Sequence, residues 1–256
     1  MIKGVSCSNQ YYMMELEMII VRCLTNIQLF GDSILKGIQV NPTSKRYYTK
    51  NDIDLPMLSE RFSLSIQNDS HFGCTVTKGD KILSRKLESG LNFDAVIMDF
   101  GGNDCDFNWN EIAANPEGNY QPNTPLPDFI LEYRAIIQKL KANGIVPILT
   151  TLPPLDPQRF FDWWCQNLNK VNIMKWLGSI TAIYSQQEKY SRQVEQLAKE
   201  ENVPLVDIRG AFLNHGRIDT LMCEDGTHPN SEGQKIITEA FLNFFDSRRH
   251  MTMITN

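Results

Sequence analysis

Five short apolar runs punctuate the chain at wide spacing. They are "TNIQLF" (25–30), "FSLSIQN" (62–68), "DAVIMDF" (94–100), "IVPILTT" (145–151) and "VPLVDI" (203–208). Each has strand length, a β-branched or aromatic flavour, and Gly, Pro, Asn or Asp at its borders, as expected of strands buried on both faces. Between them the apolar positions change to helical spacing. "KGDKILSRKLESG" (78–90) sets Ile82, Leu83 and Leu87 on one side. "LPDFILEYRAIIQKLKANG" (126–144) carries Phe129, Ile130, Tyr133, Ile136, Ile137 and Leu140, with Gly144 as its C-terminal stop. "ITAIYSQQEKYSRQVEQLAKEEN" (180–202) and "SEGQKIITEAFLNFF" (231–245) are two further amphipathic helices.

Strands alternating with helices predict an α/β fold: a central parallel sheet of about five strands with helices on both faces. Two stretches lack either period. Residues 105–125, rich in Asn, Pro and Gly, are expected to form a loop at one sheet edge, and 153–178 an aromatic insertion. The pattern defines one domain over 25–246. Residues 1–24 read as an N-terminal extension. Its apolar part is broken by Glu15, Glu17 and Arg22, which does not suit a secretion signal. Residues 247–256 read as a tail, and its end "MTMITN" resembles the opening of the β-galactosidase α-fragment of cloning vectors, so it is expected to be a scar outside the fold.

Composition narrows the function classes. The 256 residues are 42% hydrophobic and 21% charged, enough for a sizeable core. A net charge of -5 argues against a nucleic-acid partner, which needs a basic surface, and gives no attraction to anionic membranes. No run of ~20 apolar residues offers a membrane span. The six cysteines are scattered, with no C-x-x-C pair, so neither a zinc site nor a disulfide framework is expected. A reducing, cytoplasmic location follows as the expectation. H-E-x-x-H and P-loop motifs are absent, and no metal or cofactor is expected.

Chemistry is concentrated where strands end. In open α/β sheets ligands bind outside the carboxyl ends of the strands. The first strand ends in Gly31-Asp32-Ser33, the second runs into "NDSHFGCT" (68–75), and the third ends in Gly101-Gly102-Asn103-Asp104. "DGTHPN" (225–230) precedes the last helix. A serine hydroxyl attacks only when a base takes its proton, and the base is usually oriented by a carboxylate. Of four histidines, His228 alone has an acid three residues before it, Asp225, with Gly226 permitting the turn and Pro229 opening the helix. The Ser33 backbone N–H, Gly73 and the Asn103 amide are candidate donors to an oxyanion.

These four segments, in this order, resemble the SGNH branch of the GDSL esterase/lipase superfamily, over about 25–246. "FGDSI" matches the first block with Ile34 where Leu is usual; "GGND" and "DGTHPN" match the third and last. "NDSHFGCT" matches the second loosely, because Asp69 to Phe72 depart from the usual small residues. The resemblance implies a flavodoxin-like three-layer α/β/α sandwich, with Ser33 as nucleophile, His228 as base and Asp225 orienting it. Ser33, Gly73 and Asn103 then form the oxyanion hole. It also implies a small-molecule ester substrate, with small soluble esters first and carbohydrate O-acetyl groups next. A lysophospholipase, a thioesterase or an acyltransferase would use the same residues. The absent G-x-S-x-G elbow argues against the α/β-hydrolase fold.

The structural alternatives stand beside these. Gly-Asp-Ser is also ordinary turn punctuation. Asp225 suits a helix N-terminus, and a sugar- or anion-binding domain without turnover would use the same strand ends. Asp32 and Asp104 suit loop hydrogen bonds, with Asp32 also beside the expected substrate pocket. Trp163, Trp164 and Trp176 of the aromatic insertion either line that pocket or cover a helix as core.

Overall fold

The computed structural model describes residues 24–90 and 93–253, with side chains to Arg248. Residues 1–23, most of the expected extension, lie outside it, as do Cys7 and Cys23 and the last three residues. The elements in chain order are β1 (Asn26–Gly31), α1 (Ser33–Lys36), β2 (Ile38–Val40), β3 (Tyr47–Thr49), α2 (Leu55–Phe62) and β4 (Ser65–Asn68). There follow α3 (Val76–Glu88), β5 (Ala95–Asp99), α4 (Trp109–Ala114), α5 (Leu126–Ala142) and β6 (Val146–Thr150). The chain closes with α6 (Pro157–Trp164), α7 (Lys170–Leu177), α8 (Thr181–Glu200), β7 (Leu205–Val206), α9 (Ile208–His215), α10 (Ile218–Leu221) and α11 (Ser231–Met253).

The five expected strands form one sheet in the order β4-β1-β5-β6-β7, and every pairing is parallel. This is the flavodoxin-like order, whose reversal falls between β1 and β5. Alternate residues feed opposite layers, as the pleat requires. Ile27, Leu29, Ala95, Ile97 and Ile148 pack with Leu58 of α2, Phe212 of α9 and Phe241 of α11. Phe30, Val96, Met98 and Leu149 pack with Leu83 of α3, Tyr133 of α5 and Val194 of α8. The three layers are therefore built by period-two strands whose two faces are both apolar.

The structure departs from the sequence reading where local chemistry outweighs the apolar pattern. "FSLSIQN" is not one strand. Asp54 caps α2 by accepting from the Met57 N–H, Phe62 belongs to that helix, and Ser63 turns out of it at φ 56°, so β4 begins at Ser65. In "VPLVDI" only Leu205 and Val206 are strand, because Asp207 caps α9 by accepting from the Gly210 N–H. The expected loop 105–125 contains α4, and the aromatic insertion folds into α6 and α7. These join in a third apolar cluster with Trp109, Ile112, Leu155, Phe160 and Ile173. The last helix continues to Met253, through most of the tail expected outside the fold. The β2–β3 hairpin, antiparallel with Ile38 opposite Thr49, has no counterpart in the sequence reading.

Among the described residues Cys74, Cys105, Cys165 and Cys223 are buried free thiols. No helix of the described residues is long and apolar enough to cross a membrane.

Candidate active site

Strand β1 ends at the sheet's reversal point because Asp32, itself still extended, caps α1, its Oδ1 accepting from the Ile34 N–H at 2.8 Å. Gly31 is required just before it. A Cβ there would stand 2.7 Å from the Asp99 carbonyl oxygen of the neighbouring strand. Ser33 is consequently the first residue of a one-turn helix at the strand's carboxyl end, and its own N–H has no intrahelical acceptor.

Residues 225–230 arrive at the same edge. The Asp225 Oδ1 accepts from the backbone N–H groups of Thr227 and His228, both at 3.1 Å, which folds the turn onto the carboxylate. Its Oδ2 lies 2.5 Å from His228 Nδ1. A carboxylate only accepts, so Nδ1 carries the proton and Nε2 is the free acceptor. That Nε2 is 2.8 Å from Ser33 Oγ, whose hydroxyl donates to it. Ser33, His228 and Asp225 are all buried. Burial works against the Asp225 carboxylate, yet the His228 ring and the two backbone donors outweigh it and hold its pKa below the usual range. The anion needed to fix the imidazole is thus secured.

Of the candidate oxyanion donors, Asn103 stands at the edge of the cleft over Ser33. Its Nδ2 donates to Asp32 Oδ2 at 2.8 Å and to the Cys74 carbonyl at 3.3 Å, so both amide hydrogens already have acceptors. Gly73 sits at φ 67° in the loop after β4, in space where an added Cβ would meet nothing within 4 Å. It is not among the residues lining the cleft.

Beneath Asn103 lies a set of buried acids. Burial, and then the nearby Asp99, push the Asp32 carboxyl well above the ordinary carboxylate range. Burial also raises Asp99 to about 7 and Asp104 to about 6. Asp32 and Asp104 serve loop structure: Asp104 accepts from the Val76 N–H and from Thr124 Oγ1. Asp32 is only 2% exposed, so its part in the cleft is to hold Asn103 rather than to present a free carboxylate.

The three tryptophans separate. Trp164 lines the cleft. Trp163 stands one step back, its indole N–H donating to Tyr47 Oη at 2.9 Å. Trp176 is elsewhere: it packs edge-on against Phe107 and Tyr120 in the third apolar cluster and is not a lining residue of the cleft. Two aromatic residues went unrecognised in the sequence. Phe72, 45% exposed, stacks on the His228 ring at 6.0 Å. Tyr47 lies 5.3 Å from the same ring and also stacks on Trp164. Phe72 falls in the loosely matching second block, where its bulk was the available signal; Tyr47 belongs to the unrecognised hairpin.

A doubly wound sheet with a hydrogen-bonded Ser–His–Asp set at its reversal point is an architecture of serine hydrolases. A family model described as the GDSL-like lipase/acylhydrolase family matches residues 29–236, and the chain belongs to that family. The chain is 28% identical over 165 residues to the GDSL esterase/lipase WDL1 of Oryza sativa subsp. japonica, a match covering 64% of this chain and 56% of that relative's length. Two solved structures share the fold. A lipase/acylhydrolase from Enterococcus faecalis is 17% identical with a TM-score of 0.60, covering 88% of this chain and 97% of its own. A mutant of an acetyl-xylooligosaccharide esterase, Axe2, from Geobacillus stearothermophilus is 20% identical with a TM-score of 0.59, covering 86% and 94%.

Proposed function

We propose that the protein hydrolyses carboxylic esters of small soluble substrates through an acyl-enzyme on Ser33. The observation that carries this reading is the unbroken hydrogen-bond chain Ser33 Oγ–His228 Nε2 (2.8 Å) and His228 Nδ1–Asp225 Oδ2 (2.5 Å). As Ser33 Oγ attacks the ester carbonyl, its proton passes to His228 Nε2. The imidazolium formed is stabilised by Asp225. The tetrahedral oxyanion takes hydrogen bonds from the Ser33 N–H and from Asn103 Nδ2. The longer Asn103 bond, to the Cys74 carbonyl, is the one the oxyanion replaces. His228 then gives its proton to the departing alkoxide. In the second half it takes a proton from water, whose oxygen attacks the acyl carbon, and returns that proton to Ser33 Oγ as the acid leaves.

Carbohydrate O-deacetylation is the second reading. The Axe2 neighbour is named as an acetyl-xylooligosaccharide esterase. Trp164 and Thr227 both line the cleft, and Trp164 Nε1 and Thr227 Oγ1 are buried without a hydrogen-bond partner. A hydroxylated substrate would pair them and relieve their desolvation. The buried free thiols fit a reducing, cytoplasmic setting.

The test is turnover of p-nitrophenyl acetate, butyrate and hexanoate by wild type and Ser33→Ala. Loss of about 10³-fold or more in kcat for every ester, with an unchanged circular-dichroism spectrum, is the expected result. Equal turnover by both proteins would remove Ser33 from the reaction.

A further inference from the structure

A second, smaller cavity opens beside the cleft over Ser33. The two share Gly102, Asp106, Phe160, Gln187 and Thr227. Past that common rim the wall is mainly apolar, with Phe107, Trp109, Leu155, Leu177, Ala182 and Ile183 beside Cys105 and Gln186. Of the polar side chains at the rim, Asp106 and Gln187 are committed to the protein, while the Thr227 hydroxyl is without a partner. Asp106 Oδ1 accepts from the Phe107 N–H and from Trp109 Nε1, each at 2.9 Å. Gln187 donates to the Pro153 carbonyl at 2.8 Å, and its oxygen accepts from Arg209 at 3.2 Å. A polyol entering this space would leave most of its hydroxyls unpaired against hydrocarbon.

Resting on the esterase reading, we propose that this side pocket holds the acyl chain, and that it selects aliphatic acyl groups longer than acetyl. The order of events decides which half of the ester it suits. The alcohol leaves first, and water must reach the acyl carbon from the side the alcohol vacated, which is the open cleft. The group that stays through both steps is the acyl group, and it occupies the pocket to one side. The pocket's volume of about 50 Å³ accommodates about four water-sized groups. With the carbonyl and the adjacent carbon in the cleft, it fits acyl groups of about four to six carbons. The aromatic insertion thereby acquires a purpose: α6, α7 and the start of α8 supply Phe160, Leu177, Ala182 and Ile183 to the wall.

The experiment is the kcat/KM series for p-nitrophenyl acetate, butyrate, hexanoate and decanoate in wild type, Ala182→Phe and Ile183→Ala. Each methylene removed from water is worth about fourfold, so wild type should favour butyrate or hexanoate over acetate by about tenfold or more. Ala182→Phe, which fills the pocket, should lower the hexanoate-to-acetate ratio about tenfold. Ile183→Ala, which deepens it, should move the optimum to a longer chain. The ratio within each protein cancels any general loss from misfolding. A wild type that favours acetate, or ratios unmoved in both variants, would overturn the proposal. So would variants that alter a methyl-to-hexyl acetate series instead, since the pocket would then hold the alcohol. Loss of the esterase reading itself looks different: Ser33→Ala would then turn over the whole series like wild type.

Discussion

Replacing Asn103 with Ala separates two functions of one amide. The Asn103 carbonyl accepts from Asn123 Nδ2 at 2.9 Å, so the backbone at 103 stays anchored when the side chain is cut. Removing one oxyanion donor costs about 10²–10³ in kcat, or about 2.7–4 kcal/mol of transition-state stabilisation. KM should change little, because the donor acts on charge that develops after binding. The same amide donates at 2.8 Å to buried Asp32. Its loss withdraws a hydrogen bond from a carboxyl whose folded pKa is already raised, and raises it further. The folded state of the variant therefore holds its proton to higher pH, and the variant loses stability relative to wild type as pH rises. The difference between the two proteins is smallest at low pH, where Asp32 is protonated in both states, and grows as pH rises. Steady-state kinetics on p-nitrophenyl butyrate reads the first effect, and urea unfolding at pH 5 and 8 the second. A kcat within about threefold of wild type would refute the oxyanion role, whatever the stability. A raised KM at constant kcat would make Asn103 a ground-state binding group.

Two other perturbations test the frame around the site. Burial raises Asp106 to about 6, while its Oδ1 alone takes both hydrogen bonds, which the amide oxygen of an Asp106→Asn variant could also accept. Because the folded pKa lies above the unfolded value, wild type loses stability as pH climbs from ~4 to ~6, and Asp106→Asn should escape that loss. Its advantage in urea unfolding should grow from below about 1 kcal/mol at pH 4 to about 2–3 kcal/mol at pH 8, and a pH-independent difference would refute this. Gly226→Ala places a Cβ 2.5 Å from the Asp156 carbonyl oxygen and the Phe160 nitrogen, at φ 70°. It should cost about 1–3 kcal/mol from overpacking and strain; an unchanged Tm would contradict it.

The sheet was legible because its strands are apolar on both faces and its longer helices carry a clear 3.6 period. Ser33, Asp225 and His228 were legible because each lies in a short segment whose residue types suit one chemistry. What escaped was set by groups distant in sequence. Nothing near Asn103 announces that Asp32, 71 positions away, occupies its amide. Tyr47 reaches His228 from a hairpin whose strands are three residues each, too short for a period to register. Trp164 and Trp176 are indistinguishable by type; both pack against the third cluster, and only the path of α6 and α7 brings Trp164 to the cleft as well. At the ends of "FSLSIQN" and "VPLVDI", cap residues rather than apolar content set the boundary.

The Asp225–His228 pair is contained within four consecutive residues, whereas the bond from His228 to Ser33 spans 195 positions. The acid–base half of the site is a local object that a short turn can form by itself. The whole site exists only when the first strand and the final helix have met across the finished sheet. On the esterase reading, ester turnover would therefore be a clock for chain closure. In a refolding experiment, helical signal would return ahead of activity, and the delay between them would time the docking of the two ends of the domain.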